Sequence, residues 1–291
     1  MTWVNVLFQG VLLGGFYALL ACGLSLMFGV MRIINLAHGD IAVIGAYLVW
    51  VLVNQTSMPP WLAALIVLPI MWVAGYAMYV LLLERSRRAG QLVPLLTTFG
   101  LAIVIENVLL QIFSPDDHSL LSSTGTLATS SISFDGLTIS IFGMLTLATA
   151  VVVLTGLQFF LSRTTSGRQM RATAEDPEIA ELVGINARAV YAKATAIAVA
   201  IAGLGGIFLA IRQTFNPSTG PTQLIFAFEA VVIGGFGSPW GTLLGGIVLG
   251  VAQVIGAQVN PQYFVLFGHL VFLAVLASPR GGLLSRRGRT A

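Results

Sequence analysis

Residues 4–30 read VNVLFQGVLLGGFYALLACGLSLMFGV, an apolar run without one acidic, basic or histidine side chain. At 1.5 Å rise per residue the run exceeds the thickness of a bilayer's hydrocarbon core, and it predicts a membrane-crossing helix. Met1 to Asn5 carry no basic residue, and the run outlasts the apolar region of a cleavable leader, so the segment is expected to remain as a helix. Working outward, similar runs recur at about 33–53, 60–83, 93–113, 138–161, 189–211, 222–238, 241–258 and 262–278. The whole chain is 57% hydrophobic and 9% charged, with a mean hydropathy of +0.92. Short alternating segments of the β-barrel type are absent. The expected fold is all-α: one polytopic transmembrane bundle over residues 1–291, with about eight or nine segments, some short or broken. The run 222–238 has a second reading, as a re-entrant segment.

Basic residues orient the bundle. With Arg85, Arg87 and Arg88 in the cytoplasm, alternation carries residues 163–188 there, and the tail with Arg280, Arg286, Arg287 and Arg289 as well. Arg212 is then the lone external Lys or Arg, while Asp116, Asp117 and Asp135 fall outside. This agrees with the preference of basic loops for the cytoplasm, and sets the N-terminus outside and the C-terminus inside. The positive balance therefore belongs to a lipid bilayer and does not call for nucleic acid. Cys22, the one cysteine, excludes an internal disulfide and a cysteine-based metal site. Glycines four apart, at Gly10 and Gly14, Gly241 and Gly245, Gly246 and Gly250, mark faces where helix backbones can approach. Pro60 suits a first helical turn, and Pro69 inside the same segment is expected to kink it.

Residues 163–188 form a polar island. Eight of the 25 charged residues lie there: Arg163, Arg168, Arg171, Glu175, Asp176, Glu178, Glu181 and Arg188. Gly167 to Glu175 favour a helix. Asp176-Pro177 reads as an N-cap followed by proline at the first helical position, Glu178 and Glu181 suit the helix dipole, and Gly184 sits where a C-cap belongs. Ile179, Leu182 and Val183 give the second short helix an apolar stripe. An ordinary solvated loop needs neither caps nor a stripe, so the loop is read as a folded docking element for a soluble partner.

The run Gly167-Arg168-Gln169-Met170-Arg171-Ala172-Thr173-Ala174-Glu175-Asp176, continuing through Ala180 to Val183-Gly184-Ile185-Asn186, resembles the coupling loop of the LivH/LivM permeases. These are membrane subunits of ABC importers for branched-chain amino acids. Ile34-Asn35-Leu36-Ala37-His38-Gly39-Asp40 resembles the family's Asn-x-Ala-His-Gly signature. Gly234-Gly235-Phe236-Gly237-Ser238-Pro239-Trp240-Gly241 is similar to its glycine-rich turn. Ser278-Pro279-Arg280-Gly281-Gly282-Leu283 departs from the family's usual Arg-Pro-x-Gly-Leu. The resemblance, closest to the LivH type, implies a permease subunit of the bacterial plasma (inner) membrane. It implies a LivM-type second permease subunit, two cytoplasmic ATPase subunits and a periplasmic or extracellular substrate-binding protein. It also implies that Gly167, Arg168, Arg171, Glu175, Asp176, Ile179, Glu181, Leu182 and Gly184 belong to the ATPase-coupling loop. The chain has no phosphate-binding G-x-x-x-x-G-K-[ST] motif, since Ala192 precedes its single lysine, Lys193. No cofactor is expected on this chain, and ATP is expected to be used by the partner subunits.

Polar residues within apolar runs are the candidates for a translocation pathway. Asn35, His38 and Asp40 open the second segment, where Gly39 and polar side chains could expose backbone groups to a solute. The alternative is a satisfied hydrogen-bond cluster with Asp40 paired to Arg32, and for His38 this structural role is preferred. Three such residues make no metal site without a further ligand. Glu106 and Asn107 lie in the fourth segment and Glu229 in the seventh; ionisable groups at that depth normally face a cavity or a partner. Glu229 is expected to hydrogen-bond between helices, and Glu106 is open to either role. A proton-coupled secondary transporter using Asp40, Glu106 or Glu229 is the competing function. A channel ranks last, because no repeated filter motif is present. The substrate itself is not legible.

Overall fold

A computed structural model describes residues 3–90, 92–121, 123, 128, 130–134 and 137–278. Asp135 and the basic tail from Arg280 to Arg289, used above for orientation, lie outside the described residues, as does most of the stretch Ser278 to Leu283. Among the described residues, seven helical stretches are long and apolar enough to cross a bilayer: α1 (Trp3–Met31), α2 (His38–Thr56), the stretch Pro60–Ala89, α5 (Val93–Phe113), α6 (Ile141–Arg163), α9 (Ala187–Arg212) and α11 (Pro239–Val259). The stretch Pro60–Ala89 is α3 (Pro60–Met78), a π-helical turn at Tyr79–Leu83, and α4 (Glu84–Ala89), and it runs through Pro69 as helix. Two further apolar helices are shorter, α10 (Gly220–Gly234) and α12 (Phe264–Leu276). At 15 and 13 residues they fall below the roughly 20 needed for a full crossing. The bundle is thus all-α and polytopic, with the short segments where the sequence places its seventh and ninth runs.

Burial follows helix composition. α1 is apolar all round and almost wholly enclosed, as expected of a central helix. α9 is the second enclosed helix, and α3, α5 and α6 expose most of their apolar surface. Glycines set the closest crossing. A Cβ on Gly10 would lie 2.6 Å from the Val251 Cα, and one on Gly246 would lie 2.6 Å from the Gly14 carbonyl oxygen. The Gly10–Gly14 and Gly246–Gly250 pairs therefore bring the backbones of α1 and α11 together, while Gly241 and Gly245 pack on α10 at Gly234 and Ala230.

The bundle has two distinct ends. One carries α4, α7 (Thr165–Glu175) and α8 (Pro177–Leu182), here termed the loop end. The other carries a hairpin of β1 (Ser131–Phe134) and β2 (Leu137–Ser140), antiparallel with Ile132 opposite Ile139. The start of α1 belongs to this hairpin end, where the Gln9 side chain donates to the Thr138 carbonyl at 2.6 Å. The all-α reading did not include these strands.

Two helices begin inside the bundle. α1 ends at Met31, and Arg32 takes a left-handed backbone (φ 55°) that reverses the chain. Residues 32–37 then run back so that the His38 Nε2–H donates to the Leu20 carbonyl at 2.8 Å. Leu20 lies 11 residues before the end of α1, or about 16 Å along its axis. α2 therefore starts at His38 and not at residue 33. α10 does the same from the opposite side. After α9 the strand-like pair His118–Phe215 and a 3-10 turn at Pro217–Thr219 lead to Gly220, which packs directly on Gly39 and Asp40. α10 then runs to the loop end, where Phe236 meets Phe28 at 4.2 Å between ring centres.

Candidate functional site

The N-termini of α2 and α10 meet within the bundle, and Asp40 stands between them. A Cβ on Gly39 would strike the Gly220 carbonyl, and one on Gly220 would strike the Asp40 carboxylate, so glycine is required on both sides. Asp40 is 2% exposed, and its Oδ1 has no hydrogen-bond partner among the described residues. Its place in the first turn of α2 and beside the first residue of α10 sets the carboxylate in the favourable field of two helix N-termini. The alternative pairing with Arg32 is not seen: no ion pair joins them, and Arg32 is exposed.

Asn35 and His38 are committed to the turn. The Asn35 Oδ1 accepts from the Ala37 N–H at 3.1 Å, and its carbonyl accepts from the His38 N–H at 3.2 Å, an Asx-type turn. The Thr98 hydroxyl of α5 accepts from the Leu36 N–H at 3.1 Å and ties the turn to that helix. Because a carbonyl can only accept, the bond from His38 to Leu20 makes Nε2 the protonated nitrogen of the neutral ring and leaves the buried Nδ1 as an unpartnered acceptor. His38 thus has the structural role preferred above, and Gly23 makes room for its ring.

Glu106 lies on α5. It is half-buried, and α5 packs on α2 and on the Pro217–Thr219 turn. Asn107 is exposed on the outward face of α5, where its amide donates to its own helix at Ile103 (2.8 Å). The structure therefore groups Asn35, His38 and Asp40, leaves Glu106 half-buried on the helix packed beside them, and sets the exposed Asn107 apart. Gln223, one turn along α10 from Gly220, was not singled out in the sequence. It is buried and its Oε1 has no partner among the described residues. Only knowledge that α10 starts inside the bundle would have found it.

Glu229 has the interhelix role expected of it. Its Oε1 accepts from the Nδ1 of His269 on α12. His269 gave no signal in sequence beyond being a histidine in an apolar run. Nearby, the Tyr17 hydroxyl of α1 donates to the Gln253 Oε1 of α11 at 2.6 Å.

The polar island folds as its caps predict. The Thr164 hydroxyl accepts from the Gly167 N–H and starts α7, and a Cβ on Gly167 would strike the Phe160 carbonyl, so α7 turns tightly off α6. The Asp176 carboxylate accepts from the N–H groups of Glu178 and Ile179 at 2.9 and 3.0 Å. Gly184 closes α8 with φ 86°, a backbone that disfavours side chains. Ala180 is buried against the bundle, while Ile179, Leu182 and Val183 are 60%, 85% and 71% exposed. The charged side chains of Arg168, Arg171, Glu175 and Glu181 are also exposed. A capped helix with an uncovered apolar stripe is a surface that another protein can cover.

Comparison with known proteins agrees with this architecture. Residues 6–276 match the family described as branched-chain amino acid transport system / permease component. The high-affinity branched-chain amino acid transport system permease protein BraD of Pseudomonas aeruginosa is 32% identical over 259 residues, 84% of this chain and 82% of the relative. LivH of Salmonella typhimurium, described in the same words, is 30% identical over 254 residues, 84% of this chain and 82% of its own. The probable permease protein LivH of Methanocaldococcus jannaschii is 26% identical over 245 residues, 82% of this chain and 76% of its own. No solved structure gives a significant match. With a match running from α1 to α12, a multi-pass bundle and relatives covered over most of their length, this chain belongs to the branched-chain amino acid transport permease family.

Proposed function

We propose that this chain is the LivH-type permease subunit of an ATP-driven importer of branched-chain or related amino acids. It forms the pathway together with a LivM-type subunit across the exposed side of α5. Two ATPase subunits dock at the loop end and a substrate-binding protein at the hairpin end. The chain lies in the bacterial inner membrane, with its N-terminus outside and the loop end in the cytoplasm. The observation that carries this reading is α8: capped at both ends, held by Ala180, and presenting Ile179, Leu182 and Val183 to solvent. Arg168, Arg171, Glu175 and Glu181 orient the contact at its polar rim. Asp40 and Glu106 lie at the depth where a zwitterionic solute must be handed across. Their carboxylates suit an ammonium group, and the N-termini of α2 and α10 suit a carboxylate. Closed as it is here, the junction is a gate that opens between α2, α5 and α10.

The buried Asp40 carboxylate, with Glu106 half-buried on the neighbouring helix, is also the observation that favours proton-coupled transport as a second reading. Reconstitution separates the two. Vesicles holding both permease subunits should accumulate labelled leucine only when ATPase subunits, ATP and binding protein are present. Accumulation driven by a proton gradient alone would establish the second reading in place of the first.

A further inference from the structure

At the loop end a cavity of about 630 Å³ opens between the end of α1, the α4–α5 turn, the start of α9 and the α7–α8 joint. Its size is that of a small-molecule site. Three charges line it, Arg32, Arg87 and Glu175, and none forms an ion pair with a described residue. Glu84, the nearby acid on α4, is already taken by Arg88 and Arg188. Arg87 lies over the Tyr191 ring at 4.8 Å, and its buried Nε has no partner among the described residues. The Thr173 hydroxyl in the same wall is likewise buried and unpartnered. The remaining wall is aliphatic, with Ile33, Ile34 and Leu95.

Arg32 supplies an independent sign. It occupies the left-handed position that ends α1, where glycine is the least strained residue. An arginine there costs backbone energy while adding an exposed, unpaired guanidinium at the cavity. Two guanidinium groups, one carboxylate and an aliphatic wall match the carboxylate, ammonium and side chain of one aliphatic amino acid. A lipid phosphate would meet the Glu175 carboxylate, which repels it.

We infer that this cavity is a second, cytoplasm-facing site for a free zwitterionic aliphatic amino acid. Resting on the importer reading for its biological sense, the site lets the delivered solute act back on the transporter. An occupant bridges Glu175 at the end of α7 to Arg32 and Arg87 on the membrane bundle. It would hold the coupling loop in one position and slow the cycle.

The test uses the full complex with its second permease and ATPase subunits. In phosphatidylcholine nanodiscs without binding protein, labelled L-leucine should bind saturably. Arg32→Gln should weaken binding roughly ten-fold or more, as loss of a charge-assisted hydrogen bond does, and Arg32→Lys should weaken it less. Arg32→Gly, which suits the left-handed backbone, should fold as well as the parent yet bind as poorly as Arg32→Gln. In vesicles loaded with ATP, leucine enclosed with it should slow the parent and slow Arg32→Gln far less, with equal uptake into vesicles lacking enclosed leucine. Binding and inhibition unchanged by Arg32→Gln would overturn the site. So would activity that follows anionic lipid content through Arg32 while leucine fails to bind. Failure of ATP-driven uptake into leucine-free vesicles would instead remove the importer reading, and the binding measurement would still decide the site.

Discussion

The Arg188 Nε donates to the Glu84 Oε2 at 2.6 Å, joining the first turn of α9 to α4. Glu84 is buried and also accepts from Arg88 at 2.8 Å, so one carboxylate holds two helices at the loop end. Both arginines are largely exposed, which limits the worth of each pair. Glu84→Gln should lower the stability of the purified complex by about 1 kcal/mol, within the range of exposed pairs. Thermal unfolding that is unchanged would show the bridge to be energetically idle.

The α1–α11 crossing makes a sharper claim about glycine. Gly14→Leu must push α11 away and should cost about 1–3 kcal/mol or abolish folding, as overpacking does. Gly100 on α5 and Gly156 on α6 have nothing within 4 Å of an added Cβ, so Gly100→Ala and Gly156→Ala should be harmless. Yield of monodisperse protein in detergent is the readout, and equal yields for all three would contradict the packing.

Orientation can be read with thiol chemistry. Cys22 is fully buried and would be replaced by alanine first. A cysteine at Ser123 should react with an impermeant reagent added to intact cells, and one at Thr165 should not. The opposite pattern would reverse the assignment of the loop end to the cytoplasm.

Docking of α8 predicts a separation of functions. Leu182 is 85% exposed, so Leu182→Ala should leave the membrane part intact. At a hot spot its removal costs about 2 kcal/mol or more of binding. Weaker ATPase retention, or ATP hydrolysis uncoupled from uptake, is the expected result. Gly184→Pro should act the same way, because φ 86° is closed to proline. Normal coupling in both variants would exclude α8 as the contact.

The gate predicts an effect on transport without one on assembly. Glu106→Gln removes a charge from a half-buried position and should cut uptake roughly ten-fold, the scale of one lost charge-assisted contact. The assembled complex should elute unchanged on gel filtration. Full uptake in Glu106→Gln would take that residue out of the pathway, and loss of assembly would make its role structural.

Local chemistry explains what the sequence revealed. Asp176 and Gly184 announce α8 because capping is decided within a few residues, and the glycine pairs announce closely packed helix faces, though not their partners, because the spacing is one helical turn. The start of α2 was hidden. Ile33, Ile34, Leu36 and Ala37 continue the apolar run, and the reversal at Arg32 lacks the glycine that would signal it. His269 was hidden for another reason: its partner Glu229 is 40 residues away, and only the packing of α10 on α12 joins them. The hairpin at Ser131–Ser140 is four residues per strand, too short for its alternation to stand out. Asp40 and Glu106 were each visible as costly ions, but the packing of α2 against α5 that brings their helices together was not.

The π-helical turn at Tyr79–Leu83 fixes the register of everything that follows it in that stretch. A π turn holds one residue more than an α turn and absorbs it locally, so straightening it to regular α-helix with no residue removed would rotate residues 84–89 by about 100°. Glu84 would leave Arg188, and Arg87 would leave the Tyr191 ring. The loop end is thus phased by the turn that absorbs a single surplus residue, and loss of that turn with the residue kept, invisible to any measure of hydropathy, would dismantle it.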